Sequence, residues 1–159
     1  MTKHPNDAKP SEEGNLMHGH FDVQKWPFYW LTKAYGRYIA EMELSLKEVE
    51  LDIPRWRVLM LLEEERARSI SYLAQEAIAK LSTMTRIVQR MQQDGLLITR
   101  PRASDQRVTE ALLTVNGRRA RLLALQKADD IYTRALGTLP SADVDALNAS
   151  LSKIHTNLE

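Results

Sequence analysis

The chain has 159 residues, 43% of them hydrophobic, and its 22 Lys and Arg nearly balance 21 Asp and Glu. That length suits one domain, or one domain with helical arms, large enough to bury a core. No apolar run approaches the ~18 residues of a membrane span, the opening MTKHPNDAKPSEEGN lacks the apolar stretch of a secretory signal, and zero cysteines exclude disulfides and thiol switches. These features describe a cytoplasmic protein.

Residues 1–21 read as a flexible arm, polar and broken by Pro5, Pro10 and Gly14. The spacing of His18 and His20 is compatible with a metal, but no cysteine or obvious carboxylate partner lies nearby in sequence, so the pair reads as part of that arm. Asp22 is a candidate cap for a long helix over about Trp26–Val49, in which Phe28, Leu31, Tyr35, Tyr38, Ile39, Met42, Leu46 and Val49 recur at helical spacing. Pro27 fits its first turn. Leu51 to Pro54 is a linker, and Pro54 starts a helix carrying Trp56, Val58, Leu59, Leu61 and Leu62. A charged run, Glu63-Glu64-Glu65, ends it.

The stretch from Ile70 to Thr114 spells short helix, turn, helix, strand, charged loop and strand. Ser71 is the expected N-cap of a helix over Leu73–Ile78. Ser82 is the expected N-cap of the next, in which Met84, Ile87, Val88 and Met91 form one buried face and Gly95 stops the helix. Leu96 to Thr99 and Val108 to Leu113 are β-prone, with arginines at the base and tip of the loop between them. This is the grammar of a winged helix-turn-helix over residues 53–115, in a fold that is mainly α with a small β-hairpin. After it, Thr114 caps a helix with Leu122, Leu123, Leu125, Ala128, Ile131, Tyr132 and Leu136, which Gly137 closes. Pro140-Ser141 opens a last helix with Val144, Leu147, Leu151, Ile154 and Leu158 on one narrow face.

The chemistry of the second helix and the hairpin points to duplex DNA. Thr83, Thr85, Arg86, Gln89 and Arg90 lie off the apolar face, together with Lys80 and Ser82 at the helix start. Hydroxyls, amides and guanidiniums are the groups that bond base edges and phosphates in a major groove. Alone, such a face is better explained by solvation. The hairpin changes that weighting, because Arg100, Arg102 and Arg107 suit a wing laid along the backbone, with Arg107 in the adjacent minor groove. Asp105 is placed to hold the Arg107 guanidinium. Six basic against two acidic residues from Lys80 to Arg107 leave a net +4, whereas eight acidic against three basic from Glu41 to Glu65 leave −5. The near-neutral total therefore hides a polarised molecule.

Leu73-Ala74, Ser82 through Arg90, Asp94-Gly95-Leu96, Arg100, Asp105-x-Arg107 and Leu113-Thr114-x-x-Gly117 together resemble the MarR family of bacterial transcription regulators. The resemblance is close from Leu59 to Arg118, and the flanks match only in layout. Gln106 stands where the family often has a second arginine, and Ala77-Ile78-Ala79 lacks the glycine common in this turn. The resemblance implies a homodimer interlocked through residues 22–52 and 116–159. Two recognition helices then imply a pseudo-palindromic target with half-sites ~10 bp apart. By the same resemblance the protein is a repressor rather than an activator.

Eight of the ten aromatics, Phe21, Trp26, Phe28, Tyr29, Trp30, Tyr35, Tyr38 and Trp56, fall between residues 21 and 56, among Arg37, Arg55 and Arg57. Aromatic walls with a guanidinium suit a planar aromatic acid or phenol, and the resemblance implies such an effector. Trp26, Trp30, Tyr38, Arg57 and Met60 are the expected lining, with His18 or His20 closing it from the partner subunit. Plain core packing explains the same spacing equally well. No glycine-rich phosphate loop, catalytic triad spacing or metal cluster is present, so neither an enzyme nor a cofactor is expected. A protein-interaction winged helix is the main rival, together with a DNA binder that has no effector. The polar residues at 85, 86, 89 and 107 argue against a protein-binding face.

Overall fold

A computed structural model describes residues 21–63 and 66–159. The expectations for the arm up to residue 20, with His18 and His20, and for Glu64 and Glu65 lie outside the described residues. The chain forms two compact units that divide between Gly36 and Arg37, inside helix α1 (Pro27–Lys47).

In the first unit, a 3-10 turn (Val23–Lys25) is capped by Asp22, whose carboxylate accepts from Gln24 N at 3.0 Å. The Trp30 indole N–H donates to Gln24 O at 2.8 Å. Trp26 meets Phe21 and Phe28 edge-on, with ring centroids 5.9 and 5.6 Å apart. The start of α1 nevertheless leaves Phe28, Trp30, Leu31 and Tyr35 exposed.

The second unit is organised by what its helices bury. Met42 and Leu46 from the end of α1, Val58 and Leu59 from α2 (Ile53–Leu61), Leu73 and Ala74 from α3 (Ile70–Glu76), and Met84, Val88 and Met91 from α4 (Leu81–Gln93) share one core. The strands add Leu97, Ala111 and Leu113, and α5 (Val115–Leu136) adds Ala124 and Ile131. Spacings of three and four put each set on one helix face, so every element docks by an apolar stripe.

Helix starts differ from expectation by one to three residues. Asp52 caps α2 one residue early, accepting from Arg55 N at 2.9 Å, with Pro54 in the first turn. Ser69, not Ser71, caps α3, accepting from Tyr72 N at 3.1 Å. The reason is that Ser69 already ends an extended segment, β1 (Arg68–Ser69), which pairs with Ala111 and Glu110. A two-residue strand has no alternation to betray it in sequence. Ser82 lies inside α4 rather than capping it, because Met84 N already bonds Lys80 O at 3.0 Å; Lys80 takes the cap position and makes no side-chain cap bond.

The wing is longer than its β-prone runs. Strand β2 (Leu97–Arg102) and β3 (Asp105–Leu113) are antiparallel and turn at Ala103-Ser104, with an irregular register between Pro101 and Arg102. Sheet order is β1-β3-β2. Gly95 ends α4 at φ 70°, as expected of a left-handed stop. The Thr114-x-x-Gly117 signature then locks the corner. Thr114 caps α5 by accepting from Gly117 N at 3.0 Å, and its hydroxyl donates to Gly95 O at 2.7 Å. A Cβ on Gly117 would lie 1.8 Å from Leu96 O, so only glycine lets α5 start against this turn.

Helix α5 also holds α2 through Arg121, which donates to Leu59 O at 3.1 Å and so satisfies a carbonyl of the last turn of α2. Gly137 closes α5 at φ −64°, in the right-handed region. Helix α6 (Ser141–Thr156) follows, with Val144 buried but Leu147 and the trailing Leu158 exposed. Leu122, Leu123, Leu125 and Tyr132 of α5 are exposed as well. Among the described residues, no helix is long and apolar enough to cross a membrane.

Candidate nucleic-acid interface

Helix α4 turns Met84, Val88 and Met91 inward, so at about 100° per residue the opposite face is set. Ser82, Arg86, Gln89 and Gln93 follow one another at spacings of four, three and four along that face, and all are exposed. Thr83 and Arg90, also exposed, lie to one side of this line. Thr85 sits to the other side, half-buried, its hydroxyl donating back to Leu81 O at 2.8 Å. Thr85 is therefore a flanking residue whose donor is already used. Gln93 was missed by sequence reasoning, although the spacing that singles out Arg86 and Gln89 continues to it. Lys80 is exposed at the helix start, where open backbone N–H groups and the positive end of the helix dipole favour an anion.

The C-terminal end of α4 is pinned. Arg55 Nη1 lies 3.2 Å from Asp94 Oδ2, while Arg55 Nε lies 3.2 Å from Asp52 Oδ2, out of line for a hydrogen bond. One guanidinium thus joins the first turn of α2 to the cap of α4. Thr99 of β2 adds a hydroxyl bond to Gln92 Oε1 at 3.0 Å.

On the wing, Arg107 has a side chain 92% exposed, and its Nε lies 3.2 Å from Asp105 Oδ1. The same carboxylate accepts from Arg107 N at 3.1 Å. Those two bonds, side chain first, hold the Asp105 carboxyl below its ordinary value of 3.8, with a smaller contribution from the Arg102 charge. Arg102 turns out to be committed across the hairpin, with Nε 2.7 Å from Glu110 Oε1. Arg100, opposite Glu110 in register, is exposed. The wing therefore offers Arg107 and Arg100 most openly, with Arg107 paired to Asp105 and the less exposed Arg102 to Glu110.

The residues expected to line an effector site are divided between the two units. Trp26 and Trp30 belong to the first unit, both exposed. In the second unit Tyr38 packs edge-on to Trp56 at 6.5 Å, and Met60 packs against the core. Arg57 is half-buried on α2. Trp56, not among the expected lining, has a buried indole N–H with no hydrogen-bond partner among the described residues. No group of three or more potential metal ligands occurs among them either.

The MarR family model matches residues 51–109, from just before α2 into β3. A protein of Pseudomonas putida named as the HTH-type transcriptional repressor IacR is 40% identical over 161 residues, covering 99% of this chain and 96% of its own. The chain belongs to the MarR family. Like its solved members, it is mainly helical with a three-stranded antiparallel wing sheet. CouR of Rhodococcus jostii RHA1, solved with p-coumaroyl-CoA bound, superposes with a TM-score of 0.79 at 20% identity, over 85% of this chain and 95% of that one. BpsR of Bordetella bronchiseptica, whose DNA binding is regulated by 6-hydroxynicotinic acid, superposes with a TM-score of 0.75 at 22% identity, over 86% of this chain and 98% of that one. A MarR-family regulator of Silicibacter pomeroyi gives 0.78 at 22% identity, over 87% and 93% of the two chains. MarR proteins are transcription regulators, not enzymes.

Proposed function

We propose that this MarR-family chain is a homodimeric repressor of pseudo-palindromic operators, released from DNA by a small aromatic acid. The observation that carries the DNA reading is the exposed line Ser82-Arg86-Gln89-Gln93 on a helix pinned at its far end, with the arginine-tipped wing following it. The line reads base edges in the major groove, Lys80, Thr83 and Arg90 hold phosphates beside it, and Arg107 enters the neighbouring minor groove. The name of the Pseudomonas putida relative supports repression.

The dimer reading rests on the apolar side chains that a single chain leaves exposed on α5 and α6, and separately at the start of α1. Residues 22–52 and 116–159 are its proposed contributors. For the effector, Tyr38, Arg57 and Met60 are the proposed contacts. The unpartnered Trp56 N–H supports an acceptor on the ligand, since a buried donor without a partner is costly. The ring-bearing ligands named for CouR and BpsR support the aromatic class. Such a ligand shifts DNA affinity only by its differential affinity for the DNA-bound and released arrangements.

The test is an anisotropy titration of the purified protein on duplex DNA from upstream of its own gene, repeated with a panel of aromatic carboxylates. Tight binding relieved by one compound is expected, with Arg57→Ala binding DNA normally but no longer responding. Binding no tighter than to random duplex rejects the repressor. Tight binding indifferent to every compound rejects the effector alone.

A further inference from the structure

The turn between α3 and α4 carries an anomaly. Ile78 adopts φ 51°, the left-handed region, and the residue is 92% exposed. The hydrogen bonds explain the backbone: Ala79 N reaches Ala74 O at 2.9 Å and Ile78 N reaches Gln75 O at 3.0 Å, the paired closure of a Schellman helix stop. The same closure at the end of α4, with Leu96 N on Met91 O and Gly95 N on Gln92 O, uses glycine at φ 70°. A third, after α1, uses the unbranched Glu50 at φ 56°. Of these three closures among the described residues, only the one at the mouth of α4 puts a β-branched residue, the class least suited to positive φ, in this place.

Nothing in the core rewards that choice. Ala77 and Ala79, on either side, pack against the core, while Ile78 contributes almost no buried surface. An isoleucine here strains the backbone and displays an apolar side chain to water, and such outliers cluster where function holds them. Leu81, the first residue of α4, is a second apolar side chain displayed at the same place, 55% exposed, with the exposed Lys80 beside it. Three residues span at most ~11 Å, so Ile78 and Leu81 fit together within a major groove ~12 Å wide.

We propose that Ile78 is a sequence-reading residue, its side chain seated on a thymine methyl at the outer edge of the stretch that α4 reads, with Leu81 beside it. This rests on the DNA-binding reading above and deepens it. Thymine C5-methyl is the one apolar group that a base presents in the major groove, and apolar side chains read it. Two side chains flanking a lysine make too small an apolar surface for a protein partner, which needs a contiguous patch of hundreds of Å². Lys80 between them pairs with phosphate instead, in continuity with the polar line of α4.

The experiment uses the full chain, wild type and the variants Ile78→Gly and Ile78→Asn, both of which suit the left-handed turn. Each protein selects its preferred duplex from a random pool, and the thymines of the wild-type site are then replaced one at a time by uracil, which lacks only the methyl. The expected result is that one replacement at the edge of each half-site weakens wild type about fourfold, the effect of one buried methyl group. The same replacement leaves both variants unchanged, and Ile78→Gly melts about 2–4 °C higher as strain is relieved. Wild-type indifference to every uracil, or equal sensitivity in the variants, overturns the proposal while leaving the DNA-binding reading intact. Variants that melt lower than wild type also overturn it, because the side chain then serves the fold. Loss of self-association in the variants with uracil sensitivity retained reassigns the residue to a protein contact. Failure of wild type to select any sequence overturns both readings.

Discussion

Removing the guanidinium at the wing tip separates what the wing does from what the core does. Arg107 buries almost nothing and, among the described residues, is tethered only to its own hairpin neighbour, Asp105. Arg107→Ala is therefore expected to leave the melting temperature within about 2 °C of wild type. Its effect falls on DNA. Each neutralised phosphate contributes ~0.9 to the slope of log K against log salt. With one wing per protomer, the proposed dimer loses ~1.8 from that slope. Between 50 and 200 mM salt, a fourfold change, wild-type affinity should fall about twelvefold further than that of the variant. Anisotropy titrations at four or five salt concentrations, on operator and on random duplex, measure the slope directly. The loss should be the same on both, because a phosphate or minor-groove contact of this kind carries little base information. Asp105→Asn supplies the internal control. It frees the arginine and removes a negative charge from the wing tip, so the slope should not flatten. An unchanged slope in Arg107→Ala, or a flattened one in Asp105→Asn, refutes the assignment of the wing to the backbone.

Three further outcomes follow from the geometry. Arg86→Ala should cost roughly 1–3 kcal/mol on operator and relax base preference, whereas Gln93→Ala should relax preference only at positions toward the other end of the helix; site selection from random duplexes compares the two patterns. Gly117→Ala should destabilise the fold by about 3 kcal/mol, a fall of about 6–12 °C in melting temperature, because its Cβ would lie 1.8 Å from the backbone oxygen of Leu96. The Asp105 carboxyl, followed by NMR, should titrate below 3.8 and move back toward that value in Arg107→Ala. A carboxyl with a depressed folded pKa lends stability that is present above its unfolded value and is lost as pH falls through the folded one. The tether should therefore hold at neutral pH and fail only in acid.

What was legible in the chain was whatever repeats over several turns or depends on one residue type. Met84, Val88 and Met91 mark the buried face of α4 by spacing alone, and Thr114 and Gly117 mark the corner by residue type. The arginine and aspartate of the wing tip also met as their two-residue spacing requires. What escaped was decided by partners distant in sequence. Ser71 resembles a helix cap until β1 is known to pair with β3 and to place Ser69 at the bend. Arg102 resembles a free cation until Glu110 is seen beside it, and Arg55 resembles a surface charge until Asp94 closes on it across 39 residues. Ile78 is the reverse case. The family resemblance leads to glycine in that turn, and only the backbone shows isoleucine in a glycine conformation.

The way α4 is held constrains how any effector can act. Its inner face is locked by Met84, Val88 and Met91, its far end by Arg55 and Thr99, and its following turn by Thr114. Close-packed contacts of this kind do not deform continuously. A ligand bound at Tyr38, Arg57 and Met60 therefore has little means of reshaping the reading helix itself. Yet α2 carries Arg57 and Met60 and also Arg55, two residues before Arg57, so a displacement of α2 takes the far end of α4 with it. In the proposed dimer, release then comes from moving each reading head as a body, changing the distance or angle between two α4 helices that must fit half-sites about one helical turn apart. This predicts a dependence on spacing. With effector bound, affinity for a single half-site should be unchanged, while affinity for the full operator collapses and is partly recovered by inserting or deleting a base pair between the half-sites. If the effector weakens half-site binding as much as full-operator binding, the reading helix itself is being altered, and rigid-body release is wrong.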